Sequence, residues 1–419
     1  MSGCGGGGTT NSTTTPTDPT QFVPPAEPRP LNGPVTALLS APDGSGDIYV
    51  AGTFTTYGGQ PVRPLIRVRP DGSVNPTFNL TQSIRPFTDA TNRITCLAVA
   101  DDGSTDIYVA EVFDVPPDSQ NNPQAGRIWR VRANGTVNPS FMMGELTHTL
   151  SVSPFRLNTI APVGDHSGSL YIGGIFDQYN KAPVPSLIRV TSSGTRDSSF
   201  PQLANVFSSE GVLLVIPLND GSGNVYVVND VPVDCCPDIE GLSIRRLHFD
   251  GSLDPTFNDG PGAASGALIA PAIYTVIMAN DSTGDLLVGG HFITFGGDLN
   301  PNGPNAVIDL ARVNPDGTLD RQTPTPILSP GVNVTVLAVT GDGSGALLVG
   351  RGGQLTRYTR TAVVDGTFQV GLAQGGTRGI TALLPTADGT GDVYVGGDFT
   401  SYNGFAGALV RVKKDGTLY

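Results

Sequence analysis

Oxygens at alternating positions are the first groups in this chain whose types and spacing could do chemistry. Asp43/Ser45/Asp47, Asp281/Thr283/Asp285 and Asp388/Thr390/Asp392 set carboxylates and a hydroxyl two residues apart, as a Ca²⁺-binding loop begins. The third carboxylate and the downstream bidentate acid of such a loop are missing, and other copies run from Asp342 to Ala346 and from Asp165 to Ser169. Turns that need only Asp and Gly explain all the copies, with calcium as the rival reading. Arginine recurs as well, at Arg67, Arg130, Arg189, Arg246, Arg312, Arg357 and Arg411. Each sits in an apolar run, where a buried guanidinium requires acceptors. Carboxylates and turn carbonyls of the adjacent Asp-Gly segments are the expected ones, which makes a structural ring rather than a substrate clamp.

Other chemistry is sparse. The histidines His148, His166, His248 and His291 share no motif, and neither a Gly-x-Ser-x-Gly elbow, a phosphate loop nor His-Glu-x-x-His occurs. Trp129 is the only tryptophan, and the sialidase-type Asp box is absent. Cys235 and Cys236 are adjacent; they could close a vicinal disulfide, pair outside the chain or stay as two thiols. Cys96 lies in an apolar run and is expected in the core, and no paired Cys/His spacing offers zinc.

The recurring residues belong to a recurring unit. Asp43, Asp102, Asp165, Asp220, Asp281, Asp342 and Asp388 mark seven copies of an apolar run, an Asp-Gly turn, a second run ending near Gly-Gly-x-Phe, a polar loop, a Leu-x-Arg-Val run and another turn. Phe78, Phe141, Phe200, Phe257 and Phe368 end five of them, Thr323 stands in the fifth copy, and the seventh reaches only Tyr419. The apolar runs are short, rich in Val, Ile, Leu and Tyr, and separated by Gly, Asp, Asn and Pro, which is strand-and-turn chemistry. Asp47-Ile-Tyr-Val-Ala-Gly52 is apolar on both strand faces, so its sheet should be covered on both sides. A period of about fifty to sixty residues with four strands per copy predicts an all-β fold, a seven-bladed β-propeller of four-stranded antiparallel blades. Phe54/Tyr57, Phe176/Tyr179, Phe292/Phe295 and Phe399/Tyr402 recur at one spacing and should pack between blades.

This pattern, with Tyr-Val-Gly-Gly-x-Phe-x-x-Tyr, Leu-x-Arg-Val and Asp-Gly-Thr-Leu-Asp-Pro-Thr-Phe, resembles the delta-60 repeat of bacterial β-propeller proteins over nearly everything from Val35 onward. The sixth copy departs after Gly350, where Arg-Gly-Gly-Gln runs straight toward Leu355, and the fourth reads Asn229-Asp-Val-Pro. The resemblance implies a propeller and an exported setting, and it carries no catalytic residues to transfer.

Residues 18–22 read Asp-Pro-Thr-Gln-Phe, the ending that the seventh copy lacks. The N-terminal segment is therefore expected to close the last blade, giving a propeller over 18–419 behind a flexible tether, 1–17. Cys4 follows Ser-Gly as in the last part of a lipobox and precedes a Gly/Thr/Ser spacer, so it is the candidate lipidated residue. Net charge is −13, and Lys181, Lys413 and Lys414 are the only lysines, which argues against nucleic acid and against anionic membrane surfaces except through a lipid anchor. The expected location is the cell envelope, at the outer membrane or surface, or outside the cell.

In an antiparallel blade the first-to-second and third-to-fourth turns share one end, and here they are short and repetitive. The second-to-third loops and the interblade links share the other end, and they vary: 116–126, 231–242 and 296–309, with links 79–93 and 142–157. Variable loops on one face of a regular ring suggest a binding surface. Asp118, Asp234, Asp238 and Asp298 are its candidate contact residues, for a protein or glycan of the envelope or its surroundings. The favoured reading is a monomeric, non-enzymatic binding module. Its rivals are a metal-dependent hydrolase or lyase at the channel mouth and a structural subunit of a surface assembly. Thr36, Thr95, Asn158, Thr335 and Thr381 start the first strand of five copies, with Leu213 and Tyr274 in the other two, as a hydroxyl ring that would suit a wet channel.

Overall fold

The computed structural model describes residues 30–80, 93–114, 124–149, 154–200, 211–218, 220–232, 240–258, 263–264, 271–295, 307–323, 325, 326, 328 and 331–419. Cys4, the 18–22 segment, Asp118, Asp234, Cys235, Cys236, Asp238 and Asp298 lie outside them. Every regular element is a strand, and no helix among these residues is long and apolar enough to cross a membrane.

The repeat unit folds into a three-stranded antiparallel meander. In the first unit Val35–Ser40 pairs with Ile48–Gly52, and that strand pairs with Leu65–Val68. Arg93–Val99, Ile107–Asp114 and Gln124–Val131 do the same in the second, and Arg156–Pro162, Leu170–Ile175 and Leu187–Val190 in the third. The fourth unit has Val212–Pro217, Val225–Pro232 and Glu240–Leu247, and the fifth Ala272–Met278, Leu286–His291 and Leu310–Val313. Val334–Val339, Leu347–Arg351 and Gln354–Tyr358 form the sixth, and Gly379–Pro385, Val393–Asp398 and Leu409–Val412 the seventh. After each third strand an Asp-Gly or similar turn folds one residue back into a bridge, as Val68 to Val74 and Val412 to Leu418.

The first strands stand side by side in chain order, and Gly379–Pro385 of the seventh unit lies against Val35–Ser40 of the first. Second strands are buried along nearly their whole length, as the two-sided apolar pattern demands. Glycine permits this approach: a Cβ on Gly396 in the seventh unit would come within 2.8 Å of Val35 Cγ1 in the first. Tyr and Phe fill the space between units, with ring centroids 5.4 Å apart for Tyr49 and Phe78, 5.2 Å for Tyr108 and Phe141, and 5.5 Å for Tyr171 and Phe200. Such pairs add about 0.5–1.5 kcal/mol beyond the area they bury.

Short outer strands extend some meanders. Leu146–Thr147 pairs with Ala125 and Gly126 on one side and with the Gln178–Tyr179 hairpin of the next unit on the other. The Phe-x-x-Tyr hairpins thus reach across to the preceding unit. In the sixth unit, where that loop is missing, Arg351 and Gln354 close a tight hairpin instead.

Candidate functional site

The turn end of the ring is built around the repeated arginines. Arg67 donates from Nε to Asp47 at 2.7 Å, and from one terminal nitrogen to Asp43 at 2.5 Å and to Ser45 Oγ at 2.8 Å. The three oxygens with calcium-like spacing close on a guanidinium. Arg130 and Arg312 repeat this with Asp106, Asp102 and Ser104 and with Asp285, Asp281 and Thr283, and Arg411 reaches Asp388 and Asp392.

Where the second-strand turn lacks its last Asp, another carboxylate replaces it. Ser169 and Asn224 stand at that position in units three and four, and there Asp197 and Asp254 from beyond the third strand accept Nε of Arg189 and Arg246 at 2.7 Å each. In units one and two those positions are Asn75 and Asn138, whose amides donate to Asp47 and Asp106. The charge is conserved while its origin moves, because a buried guanidinium without a carboxylate is costly. The remaining terminal nitrogen joins units: Arg67, Arg189, Arg246 and Arg357 donate to the carbonyls of Ala133, Phe249, Pro315 and Lys414 in the next unit's turn. Tyr419 ends the seventh unit in the place of Asn75, its hydroxyl on Asp392 at 2.5 Å and its ring 4.8 Å from the Arg411 guanidinium.

At the opposite end each first strand carries a register shift at one equivalent residue: Thr36, Thr95, Asn158, Leu213, Tyr274, Thr335 and Thr381. A bulge re-aims its side chain, and here it aims at the next strand. Thr36 donates to the Ile94 carbonyl at 2.7 Å, Asn158 to Val212 at 2.9 Å, Thr335 to Ile380 at 2.6 Å and Thr381 to Val35 at 3.4 Å. The hydroxyls read as lining a wet channel therefore bridge successive units. In unit two the bond comes from Cys96, whose thiol donates to the Asn158 carbonyl at 3.1 Å and is pushed up to about 11 by burial.

Around these bulges opens a cavity of about 670 Å³, lined from units seven, one, two and three. Arg93, Arg156 and Arg378 all line it, beside Thr36, Thr53, Thr95, Gln124, Asn158, Thr381 and Asp398. Burial first, and then the charges of Arg156 and Arg378, hold Arg93 below the usual arginine value, with Asp114 acting the other way. Asp398 is engaged by the backbone N–H and hydroxyl of Thr377. Elsewhere on this end Asp309, buried and in a left-handed backbone conformation (φ 60°), lies 3.6 Å from His291 and 3.7 Å from Arg351. Burial raises the Asp309 carboxyl, against a hydrogen bond from the Phe292 N–H and the nearby charges.

The arginines of the turn end are visible in the sequence as part of the repeat; those of the cavity lie outside it. Their signal is a break in the repeat. Arg93 and Arg156 sit two residues before the bulge, where the other units have Pro34, Gly211, Ala272, Asn333 and Gly379, and Arg378 stands one residue earlier.

A family model described as a β-propeller domain of unknown function, DUF5122, matches residues 42–78, 167–200 and 389–418. These stretches run from the Asp-Gly turn through the repeat arginine in units one, three and seven. No curated protein matches the chain. Among solved structures it is similar to the extracellular domain of a protein assigned as a one-component system of B. thetaiotaomicron, at 15% identity and TM-score 0.49, covering 90% of this chain and 39% of that one. YCF48 from Cyanidioschyzon merolae follows at 9% identity and TM-score 0.44, covering 88% and 94%, and the calcium-binding protein regucalcin of Agrobacterium tumefaciens at 16% and 0.34, covering 64% and 70%. This chain thus spans well under half the length of the first. The match of these three stretches to a β-propeller family model and the strand-only architecture of the described residues together support a β-propeller fold.

Proposed function

We propose that the chain is a surface-tethered or secreted binding module, a closed propeller of seven four-stranded blades that contacts an envelope protein or glycan through its loop end. The observation that carries this reading is the contrast between the ends. Turn-end charges are consumed in internal pairs, whereas the other end opens a cavity with Arg93, Arg156 and Arg378 in its lining, at the end of the strands where the connecting sequences vary in length. Alanine at Asp118, Asp234, Asp238 and Asp298 should abolish capture of envelope fractions while moving stability by less than about 0.5 kcal/mol. Unchanged capture would sink the loop assignment.

Closure by the N-terminal segment has support in described residues. Leu31 bridges to Tyr57 and packs with Tyr394 and Ala408, and the Pro30 carbonyl accepts the Gly58 N–H, as Glu145 accepts that of Asn180. Pro30 also lies over Gly407, the counterpart of the Gly126 that pairs with Leu146 in unit two. Beside Tyr394 a cavity of about 300 Å³ opens between units seven and one, lined by Ala41, Ile48, Thr386 and Arg411. Other units fill the corresponding place with Phe78 or Phe141, and Phe22 is its proposed occupant. Removing residues 1–24 should lower the melting temperature, and removing 1–15 should not; equal values would refute closure.

Anchoring rests on Cys4 and its spacer: in the full gene Cys4→Ser should release the protein from membranes, and retention would argue against lipidation. Cys235 and Cys236 are proposed to stay within their loop, and the Asp-Gly turns to hold arginine in place of calcium. The rival enzyme reading is favoured by Asp309, the buried carboxylate beside His291. It predicts turnover lost in Asp309→Asn, with pH or metal dependence, and no effect of the loop substitutions.

A further inference from the structure

Three arginines gather at one rim of the ring, outside the repeat that places the other seven. The seven repeat arginines recur because each belongs to the repeated turn clamp, whereas Arg93 and Arg156 share a position that is Pro, Gly, Ala or Asn in the other units, and Arg378 stands one residue before that position in the seventh unit. They stand on units seven, two and three, with unit one between seven and two, and together line one side of the mouth on a chain of net charge −13. Arg156 and Arg378 are exposed, Arg93 is half-buried, and the first two push on the charge of the third. Like charges gathered at a concave mouth focus a positive potential there. Two carboxylates stand nearby, Asp114, whose charge acts on Arg93, and Asp398, held ionised by Thr377 and by the charge of Arg378, so the three guanidiniums remain in excess.

We propose that this mouth binds a carboxylated sugar unit of an acidic oligosaccharide. The deduction rests on the loop-end binding reading and names its ligand chemistry. Guanidiniums are planar donors suited to a carboxylate, and the same cavity presents Thr53 and Gln124 for sugar hydroxyls. Its volume, about 670 Å³, falls among sites for small ligands, about 300–1,000 Å³. A nucleic acid would want stacking platforms, and among the described residues the one aromatic in the lining, Phe155, is buried.

Isothermal titration of the full chain with tri-galacturonate, its methyl ester and inorganic phosphate tests this. The acid should bind, weaken as salt rises, and lose about tenfold or more in R156Q/R378Q with the melting temperature unchanged. The ester should not bind. Equal binding of ester and acid, binding of phosphate without the uronate, or an R156Q/R378Q variant that binds as the parent does would each overturn the proposal. Capture of envelope fractions by the same variants separates the two readings: capture kept in R156Q/R378Q but lost in the loop variants removes the arginine site and leaves the loop face standing.

Discussion

Seven arginines and three arginines sit at opposite ends of one ring of strands. At the turn end every guanidinium of the repeat faces a carboxylate, from 2.5 Å for Arg67 and Asp43 to 3.1 Å for Arg357 and Asp342 as the nearest approach. At the loop end the guanidiniums of Arg93, Arg156 and Arg378 line an open cavity and act on one another. One residue type thus does two jobs, told apart by recurrence. A charge needed in every blade must satisfy itself inside the blade, while Arg156 and Arg378, present on part of the rim only, stand exposed at the cavity.

Acid should break the turn end most broadly, because it titrates carboxylates in several units together. Burial, the largest single influence, pushes Asp254 up, but hydrogen bonds from Thr256 and the Arg246 guanidinium outweigh it and hold the carboxyl at about 2. Asp43, Asp102, Asp281 and Asp388 are lowered by the same opposition. A folded-state value below the unfolded one, about 3.9, gives stability that is complete above it and lost as pH falls through the folded value. Urea midpoints should therefore stay level down to about pH 4 and drop toward pH 2. A midpoint that is flat to pH 2 would contradict the pairing.

A single clamp should come next. Arg312→Ala leaves Asp281, Asp285 and Asp320 without their common partner, and breaking a buried pair from one side costs about 3–5 kcal/mol. Chemical denaturation measures it; a loss below about 1 kcal/mol would place these pairs with ordinary surface bridges. The moving carboxylate offers a sharper version. Asp47→Ser and Asn75→Asp each upset the first unit, but together they recreate the third, where Ser169 and Asp197 stand. A double-mutant cycle should show a favourable coupling of about 1–3 kcal/mol. Strict additivity would mean that the two arrangements are not equivalent.

Much of this end was legible in the sequence because it repeats. Asp43 to Asp388 and Arg67 to Arg411 gave the unit, its strands and the expected carboxylate partners, since chemistry demanded by the backbone recurs wherever the backbone does. The loop end was legible only as irregularity. Periodicity does not reveal that Thr36 is a bulge residue reaching Ile94 of the next unit, nor that Arg93 and Arg378, far apart in sequence, share a cavity. Convergence around a ring axis is set by closure of the whole fold. The candidate loop carboxylates, by contrast, lie outside the described residues.

The hydroxyl bridges fall between the two ends in expected size. Thr335→Val keeps shape but removes the bond to Ile380 and leaves that carbonyl without it, for about 1 kcal/mol by thermal or urea unfolding. No measurable loss would mean that water replaces the hydroxyl easily, restoring the wet-channel reading at that position.

The smallest effect on stability is expected at the rim, and it is the one that decides the comparison. Arg156 is exposed at the start of its strand, and its charge acts unfavourably on Arg93. Arg156→Gln removes that repulsion and no clamp, so the unfolding free energy should move by less than about 0.5 kcal/mol, with any change toward greater stability. Urea unfolding beside Arg312→Ala makes the test internal, since both variants remove one guanidinium from the same fold. If Arg156→Gln unfolds as readily as Arg312→Ala, the rim arginines are structural after all, and recurrence no longer separates holding charges from recognising ones.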